Sequence, residues 1–190
     1  WKVNANGASN PAFLVAPNPD WKGNFVVCYW QAPWQKIVFS YLDEIIAQGF
    51  DGVYLDIVDG FEYFEYDRAK RDFIDNRINP ETGRSYREDM TALVTAIAIR
   101  GRSKHPGFLV FPQNGSQLLA DPKFLALIDG IGVEDLVSDD DKLQDAEHTE
   151  AIASRLREAQ KMRKTVFVIE YCRREKLRKQ VIAAARRAGF

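Results

Sequence analysis

The chain has 190 residues, of which 46% are hydrophobic and 28% are charged, and its formal net charge is −1. This length is enough for one domain with a hydrophobic core. A nearly neutral chain has no electrostatic reason to bind nucleic acid or an anionic membrane, and no apolar run approaches the length of a membrane-spanning helix. The composition therefore predicts a globular protein with neither of those partners.

The first 24 residues are rich in Asn, Pro, Gly and Trp, which predicts a loop. The chain opens on Trp1 without a methionine, and this start does not resemble a signal peptide. We therefore expect a fragment of a longer protein.

Strand-like and helix-like segments then alternate along the chain. The predicted strands cover 25–30, 52–57, 108–111, 130–134 and 165–170; the predicted helices cover 35–48, 86–103, 123–128, 146–160 and the C-terminal stretch around Leu177 and Val181. Such alternation predicts parallel strands joined by right-handed crossovers. No glycine-rich phosphate loop follows a strand, which argues against a nucleotide-binding sheet.

The long connection between the strand at 52–57 and the helix at 86–103 is expected to be functional or to carry its own helix. Acids and bases alternate in it at Glu65, Asp67, Arg68 and Lys70. This alternation predicts a solvated face.

Two cysteines, Cys28 and Cys172, lie far apart in the sequence, and we expect free thiols rather than a disulfide. The only histidines, His105 and His148, are not spaced as metal ligands. We expect neither a metal nor another cofactor.

Polar side chains follow four of the apolar strand segments directly. These are Asp56, the pair Gln113 and Asn114, Glu134, and Glu170. In an α/β barrel the C-terminal ends of the strands converge on one mouth, which is where active sites lie. Four or five strands are too few for a complete (β/α)8 TIM barrel. The sequence therefore predicts one domain over 1–190 that holds the later part of such a barrel and is truncated at both ends.

Paired carboxylates across a cleft are the catalytic groups of most glycosidases. Asp56 is the candidate nucleophile or base, and Glu134 or Glu170 is the candidate acid, with a pKa raised by burial. Alternatively, a strand-end acid can cap a helix or pair with an arginine, which for Glu134 and Glu170 is an equally good interpretation.

Other side chains near the strand ends are candidates for substrate binding. Gln113 and Asn114 can hydrogen-bond sugar hydroxyls, aromatic rings can stack on sugar faces, and further acids can line a subsite. Besides the two amides, the candidates are Tyr29, Trp30, Asp59, Glu62, Gln117 and Tyr171.

Several motifs resemble the endo-α-1,4-polygalactosaminidase-like barrel family, glycoside hydrolase family 114 and its relatives. They lie at Trp21–Asn24, Tyr29–Trp30, Trp34–Gln35, Gly49–Asp56, Pro112–Gly115, Asp129–Asp135 and Ile169–Tyr171. The resemblance implies a TIM barrel that cleaves a galactosamine-rich polysaccharide, with Asp56 as a catalytic residue. It also favours a secreted or cell-envelope location.

The resemblance implies a second carboxylate shortly after the Asn-Gly turn, at about Gln117, where glutamine can neither donate a carboxyl proton nor act as a base. Either Glu134 or Glu170 supplies the second group, or the chain binds carbohydrate without cleaving it. The sequence thus favours a glycoside hydrolase for an amino-sugar polymer, with a non-catalytic carbohydrate-binding barrel as the alternative. It does not indicate an oligomeric state.

Overall fold

The computed structural model describes residues 11–18, 21–139 and 142–190. Its strands are β1 (Leu14–Pro17), β2 (Phe25–Val27), β3 (Gly52–Leu55), β4 (Tyr66–Asp67), β5 (Asp72–Phe73), β6 (Leu109–Pro112), β7 (Gly130–Glu134), β8 (Ser138–Asp139), β9 (Lys142–Leu143) and β10 (Thr165–Ile169). Its helices are α1 (Ala32–Ala47), α2 (Glu62–Glu65), α3 (Tyr86–Lys104), α4 (Pro122–Leu127), α5 (Ala146–Lys161) and α6 (Glu175–Ala188), with 3₁₀ turns at Val58–Phe61 and Ser116–Ala120.

Four parallel strands form the centre of the fold. β3 pairs with β6, and β7 pairs with β10, both in parallel. A parallel bridge between Gln113 and Gly132 joins β6 to β7. The spatial order β3-β6-β7-β10 therefore follows the order along the chain, which confirms the predicted parallel strands. Because the strands are parallel, their C-terminal ends share one edge.

The helices cover one face of these strands. Val110, Ile131 and Val133 point to that face and are buried, together with Phe124 and Leu156 from α4 and α5. On the other face Tyr54 and Phe167 remain 47% and 46% exposed. These exposures show that the second face is open among the described residues. Parallel sheets are normally covered on both faces, so an open face is unusual. In the described part of the chain, no helix is long and apolar enough to cross a membrane.

Local signals in the sequence explain where the helices begin. Ser85 and Glu88 form a reciprocal capping box at the start of α3, with Glu88 N–H donating to Ser85 Oγ at 3.2 Å. Asp145 accepts from Glu147 N–H at 2.8 Å at the start of α5. The predicted helices are confirmed, with boundaries shifted by a few residues at most.

The N-terminal region differs from its prediction. Residues 1–10, with the opening Trp1, and 19–20 lie outside the described residues. In the rest of the predicted loop, β1 pairs antiparallel with β2. The strand expected over 25–30 ends at Val27, since Cys28 and Tyr29 turn into the core. Cys28 and Cys172 are both free, as predicted.

The connection between β3 and α3 was predicted to be solvated, and for Glu65 this is wrong. Glu65 is 1% exposed, and its carboxylate accepts from Arg87 at 2.7 Å and from Asn76 N–H at 2.9 Å. Arg87 also pairs with Asp75 at 2.6 Å. This buried ion pair fastens the connection to the first turn of α3.

Candidate active site

The backbone is strained directly after three of the parallel strands. Ile57 follows β3 by two residues, and Asn114 and Asp135 lie just past β6 and β7; their φ angles are 59°, 61° and 51°. This left-handed conformation costs about 1–3 kcal/mol for a β-branched residue such as Ile57 and less for Asn114 and Asp135, whose residue types adopt it more readily. Such strain concentrates at functional sites, so the shared edge is the candidate location of the active site.

A glycine allows two of these turns to approach each other. Gly115 has a φ of 64°, and a Cβ atom there would lie 3.4 Å from the backbone nitrogen of Asp59. The turn after β6 is therefore packed against the 3₁₀ turn after β3. This contact brings the side chains of the two strand ends to one place.

Asp56, Asp59 and Glu62 lie on the turn and helix that follow β3. Asp56 is exposed and accepts from Ile57 N–H at 2.9 Å. Burial and, after it, the charges of Glu62, Asp56 and Glu134 together raise the pKa of Asp59 to about 6. Four carboxyl groups thus lie within electrostatic reach of one another. In the described ranges none of the four forms a salt bridge with a lysine or arginine.

Glu134 ends β7 and is surrounded by donors. Asn114 Nδ2 donates to its carboxylate at 3.1 Å, and Tyr171 donates its hydroxyl proton to the other oxygen. The bond from Tyr171, and those from Gln113 and Asn114, hold the pKa of Glu134 below its usual value. The predicted raised pKa at Glu134 is therefore wrong, because donors stabilise the ionised form more than burial penalises it.

Gln113 and Tyr54 form a hydrogen-bonded pair next to Glu134. The Tyr54 hydroxyl donates to Gln113 Oε1, and both groups occupy the space that a side chain at position 132 would fill. Gln113 is buried. Its amide therefore contacts Tyr54 and Glu134 and is not open to solvent. Gly132 is required here because any side chain would displace this pair.

Glu170 has a different environment from the other candidate acids. Its carboxylate accepts from Val137 N–H at 2.8 Å, from Ser138 N–H at 3.0 Å and from Ser138 Oγ at 2.7 Å. These bonds fix the turn between β7 and β8 to the end of β10. Glu170 is thus engaged in structural contacts, although through backbone and serine donors and not through the helix cap or arginine pair that the sequence offered as alternatives.

Two of the predicted sugar-stacking aromatics are held by contacts within the protein. Tyr29 is 4% exposed, and its hydroxyl donates to the carbonyl of Tyr86 at 2.7 Å. It packs in the core and cannot contact a polysaccharide, so that prediction is wrong. Trp30 packs against Phe64 and donates from Nε1 to Glu81 at 2.8 Å. Tyr171, by contrast, is 51% exposed beside Glu134.

Comparison with known proteins places the chain in a family. The sequence model of glycoside-hydrolase family GH114 matches residues 1–190. The chain belongs to family GH114. An uncharacterised protein of Deinococcus radiodurans is 38% identical over 192 residues, which cover 100% of this chain and 55% of that protein. One of Methanocaldococcus jannaschii is 36% identical over 165 residues, covering 85% of this chain and 44% of that protein. The GH114 chain thus spans about half the length of these relatives.

Two solved structures share the fold. Aspergillus fumigatus Ega3, crystallised in complex with galactosamine, matches 85% of this chain and 52% of its own with a TM-score of 0.60 and 17% identity. The glycoside hydrolase domain of Pseudomonas aeruginosa PelA matches 92% of this chain and 63% of its own with a TM-score of 0.65 and 16% identity. At such identities the likeness shows the mixed α/β fold alone.

The GH114 chain has an amide where the family resemblance implies a carboxylate. Gln117 lies on the turn after Gly115, and its Nε2 donates to Glu62 Oε1 at 2.6 Å. Gln117 therefore reaches the carboxylate group, where it stabilises a negative charge instead of adding one. The sequence predicts Asp59 as a substrate contact or as a neighbour that raises the pKa of Asp56, and not as a catalytic acid. Its spacing of three residues from Asp56, on the same turn, is the signal that could have indicated more.

Proposed function

We propose that this chain carries the catalytic mouth of a glycoside hydrolase that acts on an amino-sugar polysaccharide of the galactosamine type. The observation that carries the proposal is the group of four carboxyls at one strand edge, without a cationic partner in the described ranges. Within it the pKa of Asp59 is raised to about 6, while that of Glu134 is lowered. Environments that push the pKa values of neighbouring acids apart separate the proton donor from the ionised groups.

In this proposal Asp59 is the general acid that protonates the leaving glycosidic oxygen. Asp56 is the exposed carboxylate that attacks the anomeric carbon or activates water. Glu134 stays ionised and stabilises the positive charge that develops on the sugar ring, and Asn114 and Tyr171 hold it in place.

We infer that β3, β6, β7 and β10 are consecutive strands of a (β/α)8 barrel, and that residues 1–190 belong to one barrel domain. The sequential parallel order supports this, as does the likeness to the PelA glycoside hydrolase domain. The exposed Tyr54 and Phe167 would then face the barrel interior.

The charge of the mouth supports a cationic substrate. Deacetylated amino sugars carry an ammonium group, which a cluster of carboxylates attracts. Ega3, which shares the fold, was crystallised with galactosamine. These two observations support a galactosamine-type unit at this mouth.

The roles are tested with two substrates of different leaving groups. Purified protein and its Asp59→Asn variant are assayed on a galactosamine polymer and on a dinitrophenyl glycoside of a galactosamine oligomer, whose leaving group departs without a proton. We expect Asp59→Asn to lower kcat/KM about 10²–10⁴-fold on the polymer and less than about tenfold on the dinitrophenyl substrate. Above pH 6 the wild-type rate on the polymer should fall, because Asp59 loses its proton.

The control is Asp51→Asn, which changes an exposed acid at the start of β3, at the opposite edge of the sheet. Its rates should equal those of the wild type. An equal loss on both substrates in Asp59→Asn would contradict the acid role, and full activity of Asp56→Asn would contradict the mechanism.

The hydrogen bond between Gln117 and Glu62 favours a second candidate function, carbohydrate binding without cleavage. In that case the polymer binds with an affinity that Asp56→Asn does not change, and no reducing ends appear at any pH.

A further inference from the structure

A groove with aromatic walls lies beside the carboxylate mouth. It encloses about 390 Å³ and is walled by Tyr63, Phe64, Tyr66 and Tyr86. Ligand sites commonly enclose roughly 300–1,000 Å³. The C–H face of a pyranose ring is apolar and packs on aromatic rings, so the groove suits one sugar unit.

The walls are fixed before any ligand binds. The Phe64 and Tyr86 rings stack with centroids 5.0 Å apart, and Tyr63 meets Phe64 edge-on at 5.1 Å. The backbone below them is held by the buried pair of Glu65 and Arg87. A groove with ordered walls loses little entropy on binding.

Two guanidinium groups line the groove without a carboxylate partner. Arg68 donates to the Tyr63 hydroxyl at 2.7 Å, and Arg77 donates to the Phe64 carbonyl at 3.2 Å. Within the described ranges neither forms an ion pair with an acid. Each has donors to spare, since a guanidinium carries five N–H groups.

The acids nearby are already engaged. Asp67, which also lines the groove, accepts from the N–H groups of Ala69 and Lys70 at 2.9 Å and 3.2 Å. Glu81 accepts from Trp30 and from Gln31. The backbone N–H of Lys70 and, to a smaller extent, the charge of Arg77 lower the pKa of Asp67, but neither arginine of the groove forms an ion pair among the described residues. The charged side chains that line the groove, Asp67, Arg68 and Arg77, therefore leave it with a net positive charge.

The groove and the mouth are connected by the short helix α2. Glu62, which accepts from Gln117, begins α2, and the next two residues, Tyr63 and Phe64, are groove walls. A polysaccharide bound at the mouth can reach the groove with an adjacent unit. A uniformly cationic polymer would be repelled by Arg68 and Arg77, so the unit in the groove should carry the opposite charge.

We propose that this groove is a subsite for a carboxylate-bearing sugar unit, a uronic acid, whose ring packs on Tyr63, Phe64 and Tyr86 while its carboxylate binds Arg68 and Arg77. A planar carboxylate matches the guanidinium fork and forms the strongest hydrogen bonds available to it. The subsite deepens the proposed function, since the substrate is then a polymer with both amino-sugar and uronate units.

The test measures binding directly, in the Asp56→Asn background, so that it does not depend on hydrolysis. Trigalacturonate, neutral galactotriose and galactosamine trimer are titrated by calorimetry, and the first is repeated at rising salt. We expect trigalacturonate to bind in a salt-sensitive manner, and Arg68→Gln and Arg77→Gln each to weaken it about tenfold. The galactosamine trimer should keep its affinity for the mouth in both variants.

The matched control is Lys70→Gln, which removes an exposed cation of the same segment that does not line the groove. It should leave trigalacturonate binding unchanged. Equal affinity for galactotriose and trigalacturonate, or no effect of either arginine variant, would overturn the subsite. So would tighter binding of an oligoglutamate peptide than of trigalacturonate, which would assign the groove to an acidic protein segment. Absence of hydrolysis by the wild-type protein, together with intact uronate binding, would refute the proposed catalytic roles alone.

Discussion

Two groups of carboxylates in this protein have opposite surroundings. Around the start of α3, Glu65 pairs with Arg87 at 2.7 Å and Asp89 pairs with Arg84 at 2.8 Å, and both acids are 1% exposed. Asn79 adds a bond to Asp89 at 2.7 Å. At the strand edge, the four acids of the mouth have amide, hydroxyl and backbone donors but no ion pair in the described ranges.

The difference separates structural acids from candidate functional ones. A buried carboxylate that is paired with arginine holds two segments together, because breaking the pair leaves a charge without compensation. A cluster of carboxylates without cations repels itself and is maintained at a cost to stability. Such a cluster is expected where charge serves binding or catalysis.

The largest effect on stability should come from breaking the structural group. Arg87→Met leaves Glu65 buried without its cation, and we expect the free energy of unfolding to fall by about 3–5 kcal/mol in urea titrations. Adding Glu65→Leu should restore part of the loss, since the unpaired charge is then absent.

The matched change in the mouth is Asp56→Asn, which should alter the free energy of unfolding by less than about 0.5 kcal/mol. If Arg87→Met were as mild as Asp56→Asn, the distinction between the two groups would not hold.

A substitution at Asp59 is expected to raise the free energy of unfolding, by less than Arg87→Met lowers it. The folded pKa is about 6, above the ordinary value of 3.8 for the unfolded chain. The folded state therefore holds the proton more tightly, and stability falls as pH rises between these two values. Asp59→Asn removes this dependence and should stabilise the protein at pH 8 by about 1–3 kcal/mol.

Urea titrations of wild type and variant at pH 4 and pH 8 check this expectation. The stabilisation by Asp59→Asn should shrink to less than about 1 kcal/mol at pH 4, where the carboxyl is protonated in the folded state and about half protonated in the unfolded state. A gain of equal size at both pH values would mean that burial and neighbouring charge do not raise this pKa.

Much of the fold follows from local patterns in the sequence. Apolar runs such as 130–134 and 165–170 predict their strands, and capping residues such as Ser85 fix where the helices begin. The polar residues at the strand ends also predict one shared edge, because parallel strands align their C-terminal ends.

The properties of individual side chains depend on partners that are distant in sequence. Charge alternation predicts a solvated Glu65. The alternation does not predict the ion pair with Arg87, which holds Glu65 in a buried position. Tyr29 is an aromatic residue of the kind that stacks on sugar rings, but it packs in the core. The pKa of Asp59 reflects its burial and the charge of Glu134 at the end of another strand. Each of these depends on tertiary contacts that periodicity does not encode.

The mildest of the expected effects concerns Tyr171, which keeps Glu134 ionised. Tyr171→Phe removes the hydroxyl that donates to Glu134, so the pKa of Glu134 should rise. On the galactosamine polymer the acidic limb of the pH–rate profile should then move to higher pH. The rate at pH 5 should fall by less than about tenfold, while the rate near pH 6 changes little. Because Tyr171 is half exposed, the variant should fold normally, and thermal unfolding provides that check. A uniform fall at every pH would mean that Tyr171 acts through substrate contact instead of through the charge of Glu134.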